Sequence, residues 1–226
     1  HQLQRQTTEV TPQAEPDEVE IQRQIEMAAM PERQRKRFLL GEYVADDENA
    51  LWRREFIKRS VLKEDGSWPV EVRRIVVAID PGVSTNAGSD EPGIIAVGLG
   101  ADGNAYVLAD ESGKHRPEEW ARRAVSLYRS LSADRIIGEV NNGGDLIEAQ
   151  LRTQAHNVPY RAVRATRGKA VRAEPVAALY ERGKVFHIGP FPELEDQMTS
   201  VTLDFDSKVT GWSPDRVDAL VWGITE

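Results

Sequence analysis

The chain has 226 residues, of which 40% are hydrophobic and 29% charged, the balance of an ordinary globular protein. It contains no cysteine, which excludes disulfide bonds and Cys-based zinc sites, and no apolar run approaches the ~20 residues needed to span a bilayer. The formal net charge of −8 argues against a protein that coats nucleic acid nonspecifically, because such domains are usually basic.

The first seventy residues differ in pattern from the rest of the chain. Residues 1–20 are polar, with two prolines and no apolar period, and predict an extended or disordered arm. Residues 21–40 predict a helix that breaks before Pro31, and Leu51–Ser60 predicts a further short helix. We therefore interpret residues 1–70 as an arm and a helical connector that precede the main domain.

Three consecutive strands are predicted at the start of the main domain, which we place at residues 71–226. An apolar run rich in Val and Ile ends the first strand, Glu71–Asp80, and Gly93–Gly100 and Ala105–Ala109 predict two more. Asp102-Gly103, a good hairpin turn, lies between the second and third strands. The first three strands are therefore expected to be antiparallel.

Helices and strands alternate in the remaining sequence. The predicted order is helix 117–131, strand 135–140, helix 144–156, strand 160–165, helix 169–182, strand 184–188, and helices 192–201 and 214–225. Three hairpin-joined strands followed by alternating strands and helices predict an α/β fold with a mixed sheet flanked by helices, the order of an RNase H-like fold. Doubly wound nucleotide-binding folds instead alternate from their first strand.

Three acidic residues stand where acidic residues are unexpected. Asp80 and Glu139 each close an apolar strand, and Asp218 lies within the apolar pattern of the last helix. Sites in open α/β sheets form at the carboxyl ends of strands, so these side chains are expected to meet there. Asp215 lies one turn before Asp218 and is a candidate fourth ligand.

A divalent cation would relieve the repulsion between such carboxylates. The four His residues lack metal-ligand spacing, so oxygen ligands would dominate and favour Mg²⁺ or Mn²⁺. Two ions about 3.5–4 Å apart would support in-line hydrolysis of a phosphodiester.

Each carboxylate also has a structural explanation. Asp80 could be a turn former or a helix cap, and Glu139 could form an ion pair with a nearby arginine. Asp218 could pair with Arg216 on the helix surface, and Asp215 could serve the helix dipole.

A basic stretch on this acidic chain suggests contact with a phosphate backbone. From residue 161 to residue 184, seven basic side chains stand against two acidic ones. The residues we assign to a DNA track are Arg164, Arg167, Lys169 and Arg172. Lys208, in the loop before the last helix, is a further candidate that would approach the scissile phosphate. The alternative for the stretch is a solvated helix face with i, i+4 ion pairs.

Several ordered motifs together resemble one known family. They are IVVAIDPGVS (75–84), IIGEVNNGGDLIEAQLR (136–152), RGKAVRAEPVAALYERGKVFHIG (167–189), FPELEDQM (191–198) and SPDRVDALVWG (213–223). The stretch from about residue 70 to residue 226 resembles the C-terminal nuclease domain of the terminase large subunit of tailed bacteriophages. Upstream, MPERQRKRFLLGEYVADDENALW (30–52) resembles the connector that precedes this domain.

The resemblance implies a metal-dependent endonuclease that cuts concatemeric viral double-stranded DNA during packaging. It places the family's acidic positions on Asp80, Glu139 and Asp218, with two Mg²⁺ or Mn²⁺ ions. It implies the ATPase domain, the small terminase subunit and the portal as partners, no membrane, and the cytoplasm of an infected bacterium as the location. The given sequence contains no G-x-x-x-x-G-K-[ST] motif, so the ATPase half is absent from it.

Three other functions were weighed. A Holliday-junction-type resolvase would share the fold and metal chemistry, and the form of DNA that is cut would distinguish it. An actin-like kinase or ATPase needs a duplicated domain, and nucleotide binding would reveal it. A non-enzymatic docking module for the portal or the small subunit would leave the three carboxylates unexplained.

Overall fold

A seven-stranded mixed sheet forms the centre of the domain. The computed structural model describes residues 48–82, 91–140, 144–210 and 212–226, all within one unit that spans Asp46–Glu226. The predicted arm, the helix at 21–40 and most of the predicted connector lie outside the described residues. None of the helices in the described ranges is both long and apolar enough to cross a membrane.

The sheet has the order β1-β7-β4-β3-β2-β5-β6. Its strands are β1 Lys58–Ser60, β2 Val72–Asp80, β3 Gly93–Gly100, β4 Ala105–Asp110, β5 Arg135–Glu139, β6 Tyr160–Val163 and β7 Val185–Ile188. Strands β2, β3 and β4 pair antiparallel, and all the other pairings are parallel. This arrangement confirms the predicted RNase H-like mixed sheet, in which three antiparallel strands precede the parallel ones.

Helices cover both faces of the sheet. They are α1 Pro117–Ser130, α2 Gly144–Gln154, α3 Lys169–Glu181, α4 Pro192–Met198, α5 Ser207–Thr210 and α6 Asp215–Thr225. The short α5 lies inside the stretch that the sequence predicted to be a polar loop. The other described elements from residue 71 onward agree with the prediction to within a few residues at their ends.

Alternating side chains of β2 divide the core into two layers. Ile75, Val77 and Ile79 pack on one face of the sheet with residues of α1 and α2. Val76 lies on the opposite face with residues of α3, α4 and α6. Strand side chains point alternately to opposite faces, so Asp80, like Val76, faces the α3–α6 layer.

The predicted helix at Leu51–Ser60 is wrong. A short 3₁₀ turn, Arg54–Phe56, is followed instead by β1, which pairs in parallel with β7. Trp52 is buried in the core, and Arg59 Nη2 lies 2.5 Å from Glu195 Oε2 on α4. Pairing with a distant strand therefore decides the local structure, which the helical spacing of the apolar residues could not reveal.

Helix α6 approaches β2 and β3 unusually closely, and two glycines allow it. A Cβ on Gly93, the first residue of β3, would lie 2.0 Å from the backbone oxygen of Asp215. A Cβ on Gly223 would lie 2.8 Å from Val97 Cγ2. The missing side chains therefore let the first turn of α6 rest on the strand end next to Asp80.

Replacing Gly93 with alanine should displace the start of α6, because a Cβ cannot lie 2.0 Å from a backbone oxygen. We expect the free energy of unfolding to fall by about 1–3 kcal/mol, the usual effect of overpacking. Urea unfolding would measure the loss. Gly168→Ala is the matched control, because its Cβ would meet nothing within 4 Å. Equal unfolding of the wild type and Gly93→Ala would contradict this account.

Candidate metal centre

Two acidic residues end neighbouring parallel strands. In the register of β2 with β5, Ile79 lies opposite Gly138, which brings the next residues, Asp80 and Glu139, to the same level. Paired residues of parallel strands point to the same face, so both side chains face the α3–α6 layer. The sequence predicted this juxtaposition from the two strand ends.

The first turn of α6 supplies two more carboxylates. Asp215 and Asp218 are three residues apart and therefore share one face of the helix. Each of Asp80, Asp215 and Asp218 offers a carboxylate oxygen, and these oxygens all lie within 4.8 Å of one another. The structure thus places Asp215 in the tight group, although the sequence offered it as a fourth ligand and ranked it below Asp218.

Burial makes this triad electrostatically unfavourable on its own. Asp80, Asp215 and Asp218 are 8%, 3% and 4% exposed. Desolvation raises the pKa of Asp80 well above its usual value, and the charges of Asp218, Asp215 and Glu139 raise that pKa further. Such a set of hard oxygen donors fits a divalent cation such as Mg²⁺ or Mn²⁺.

Lys169 partly balances the charge of the triad. Its Nζ forms an ion pair with Asp218 Oδ2 and lies 3.3 Å from Ser213 Oγ. Burial alone would lower the pKa of Lys169, but the neighbouring carboxylates, above all Asp218, raise it. Ser213 Oγ in turn donates to Asp215 Oδ1. Lys169 and Ser213 therefore tie the two acids of α6 to the start of α3.

Burial also raises the pKa of Asp218, while Lys169 and then Arg172 act in the opposite direction. Arg172 Nη2 lies 3.8 Å from Asp218 Oδ1.

Glu139 lies beside the triad and is held by two donors. Its Oε2 accepts hydrogen bonds from Trp222 Nε1 at 2.5 Å and from Arg172 Nη1 at 3.1 Å. The guanidinium of Arg172 also lies 4.7 Å from the centre of the Trp222 ring, a cation–π distance. The ion pair that the sequence offered as the alternative for Glu139 is thus present, next to the acidic triad.

Trp222, like Ser213, contacts the site although the sequence did not indicate it. An indole in an apolar helix is normally assigned to the core, and only its N–H could suggest a polar partner.

The predicted DNA-track residues divide into two groups. Arg164 and Arg167 are exposed, whereas Lys169 and Arg172 point to the carboxylates. The side chain of Lys208 lies outside the described residues.

The pairing of Asp218 with Arg216, offered as an alternative from the sequence, is replaced by other contacts. Arg216 Nη1 lies 2.8 Å from Asp110 Oδ2, and Asp218 pairs with Lys169.

A cavity of about 500 Å³ lies on the opposite side of the sheet, between α1 and α2. Its lining residues are Arg122, Val125, Ser126, Arg129, Ser130 and Gln154. None of the acidic residues described above lines it. The carboxylates, at the ends of strands, are therefore the stronger candidate site on chemical grounds.

Carboxylates at the ends of adjacent strands of a mixed sheet, completed by acids on the last helix, define this chain as an RNase H-like protein. A family model described as the terminase RNaseH-like domain matches residues 77–226. The chain belongs to this family, which confirms the resemblance found in the sequence. No curated protein gives a match.

Solved structures with the same fold include terminase nuclease domains from two phages and from human cytomegalovirus. The nuclease domain of the large terminase subunit gp2 of bacterial virus Sf6 is 16% identical, with 77% of this chain and 98% of that chain covered and a TM-score of 0.58. The large terminase nuclease of thermophilic phage G20c is 14% identical, with coverage of 79% and 98% and a TM-score of 0.57. The human cytomegalovirus terminase nuclease domain is 16% identical, with coverage of 80% and 94% and a TM-score of 0.57.

Replacing Asp80 with asparagine should stabilise the metal-free protein. Burial and the neighbouring acids raise the pKa of Asp80, so folding disfavours its ionised form, and Asp80 lowers stability as the pH rises from the ordinary pKa of an aspartate towards the raised one. At neutral pH we expect a gain of about 0.5–2 kcal/mol in the free energy of unfolding. Thermal unfolding in EDTA would measure it. Glu118→Gln, which removes an exposed charge from the first turn of α1, is the control and should not raise stability, because an acid at that position favours the helix. If Asp80→Asn were less stable than the wild type, charge repulsion at Asp80 could not be destabilising the metal-free protein.

Proposed function

We propose that this chain is a Mg²⁺- or Mn²⁺-dependent endonuclease that cuts concatemeric viral double-stranded DNA during genome packaging. The observation that carries the proposal is the buried triad of Asp80, Asp215 and Asp218, with Glu139 beside it. Structural acids on a surface would be expected to lie apart and in water, whereas these lie together and largely out of it.

The metals found in similar proteins support a divalent-ion site. A point mutant of the Sf6 nuclease domain has been solved with manganese, a mutant gp2c of the Sf6 large terminase subunit with calcium, and the G20c nuclease with bound zinc. Asp80, Asp218 and Glu139, with Asp215, would hold two ions in this chain. When bound, the ions would supply an activated water and stabilise the leaving oxygen of the phosphodiester.

The remaining residues of the site orient the ligands and the substrate. Lys169 and Ser213 hold the carboxylates of α6, and Trp222 and Arg172 hold Glu139. Arg164 and Arg167, which are exposed, would bind the DNA backbone, and Lys208 would approach the scissile phosphate. Lys169 and Arg172 would contact DNA only where it enters the acidic site.

Membership of the family supports a proposal for the wider setting of the reaction. We propose that residues 1–70 link the nuclease domain to the ATPase domain of the terminase large subunit. The small terminase subunit and the portal would be its other partners, in the cytoplasm of an infected bacterium.

Plasmid cleavage with Mg²⁺ or Mn²⁺ tests the activity directly. Asp80→Asn should lower the rate of cutting by about a hundredfold or more, the effect of removing one essential electrostatic group. Glu118→Gln should cut like the wild type. Equal cutting by Asp80→Asn would reject the site. A folded wild-type protein that cuts no DNA would favour a docking module, and a preference for four-way junctions would favour a resolvase.

Trp222→Phe separates the hydrogen bond to Glu139 from the packing of the ring. The phenyl ring can still lie beneath Arg172, but no N–H remains to donate to Glu139 Oε2. We expect about 10–100-fold weaker metal-dependent cutting, as for other outer-shell partners of metal ligands, and a higher metal concentration for half-maximal rate. A metal titration of the cleavage rate would measure both. An unchanged metal requirement would reduce Trp222 to a packing residue.

A further inference from the structure

Three arginines converge on a single carboxylate at the end of α6. Glu226 Oε1 accepts from Arg74 Nη2 at 2.9 Å, from Arg135 Nη1 at 3.3 Å and from Arg161 Nη1 at 2.9 Å. Within the described ranges, none of the three arginines forms an ion pair with another acid. The side chains of Arg74, Arg135, Arg161 and Glu226, called here the arginine cluster, therefore carry two positive charges in excess.

The excess charge lies on the solvent side of the arginine cluster. The side chain of Glu226 is 7% exposed, whereas those of Arg74, Arg135 and Arg161 are 37%, 38% and 58% exposed. Each guanidinium has five N–H donors, and Glu226 takes one hydrogen bond from each. Further donors therefore remain on each guanidinium, a group whose planar fork of N–H donors suits the paired oxygens of a phosphate.

The cluster lies on the same side of the sheet as the acidic site. Arg135 precedes Glu139 by four residues on β5, so the two side chains share a face about 13 Å apart. Glu226 follows directly on α6, whose 11 residues begin at Asp215, a span of about 16 Å. The arginine cluster thus stands some 13–16 Å from the carboxylates, by these two independent measures of the fold.

We propose that Arg74, Arg135 and Arg161 bind the phosphate backbone of the duplex whose cleavage occurs at the acidic site. This inference rests on the proposed nuclease function. The distance matches about four to five nucleotides of one strand at a rise of about 3.4 Å each. A chain with a net charge of −8 and a cluster of acids at its centre repels DNA at long range, so cutting needs local cationic anchors of this kind.

If the arginine cluster had a purely structural role, Glu226→Gln would be expected to have a different effect on DNA binding. Arginines near a helix C-terminus stabilise it, and one guanidinium would be enough to neutralise Glu226. In that case Glu226→Gln would loosen the end of α6 and give no gain in DNA affinity. In our proposal Glu226 competes with phosphate for the arginines, so removing its charge strengthens DNA binding. The sign of this change separates the two roles.

Binding of a labelled linear duplex DNA in EDTA, between about 50 and 200 mM salt, tests the proposal without cleavage. Arg161→Gln, at the most exposed of the three positions, should weaken binding about fivefold to tenfold and reduce the salt slope by about one. Glu226→Gln should strengthen binding severalfold at the low-salt end. Urea unfolding would confirm that each variant is folded.

Matched controls separate the cluster from the net charge of the protein. Arg73→Gln and Glu71→Gln change the same charges at exposed neighbouring positions and should alter binding by less than about twofold. The proposal would be overturned if the control substitutions changed DNA affinity as much as the cluster substitutions do. It would also be overturned if Arg161→Gln left the DNA affinity and its salt dependence unchanged. Cleavage of plasmid by the same proteins with Mn²⁺ tests the nuclease separately. If the wild type cuts DNA but the cluster variants bind DNA as the wild type does, only the DNA-binding role of the arginine cluster is rejected.

Discussion

The repulsion among three buried carboxylates is the constraint on which the rest of the site depends. Asp80, Asp215 and Asp218 come within a few ångströms of one another in a place where water cannot screen them. Such a group persists only if rigid elements hold it and cations balance it. The sheet and α6 supply the rigidity, and Lys169 and Arg172 supply charge from α3. A divalent ion would complete the balance.

Two glycines let helix α6 pack closely against the sheet. At its start, Gly93 has no side chain to obstruct the backbone of Asp215, and further along Gly223 lets the helix lie close to Val97. Because Asp215 and Asp218 lie on this helix, its position relative to the sheet sets the distances between the acids.

Some positive charges near the site pair with carboxylates and others stay exposed, and a count of basic residues in the sequence cannot distinguish the two. Lys169 and Arg172 form ion pairs with carboxylates, so acidic groups of the protein itself largely neutralise their charge. Arg164 and Arg167 remain exposed, and the arginine cluster exceeds the charge of its one acid. An acidic chain can therefore still present cationic surfaces on the face of the sheet that carries the acids. This division explains how a net charge of −8 is compatible with a DNA substrate.

Most of the fold could be predicted from the sequence, because apolar strands, the beginnings of helices and the turn at Asp102-Gly103 each have a local sequence pattern. It also located Asp80 and Glu139, since the ends of adjacent parallel strands must meet. It misassigned the segment at Leu51–Ser60, where β1 exists only through its pairing with β7. The sequence offered Asp215 only as a fourth ligand, and the tertiary structure places it, rather than Glu139, in the tight group; the hydrogen bond from Trp222 to Glu139 also appears only in the tertiary structure. Both depend on how deeply α6 settles on the sheet, a distance set by packing between residues far apart in the chain.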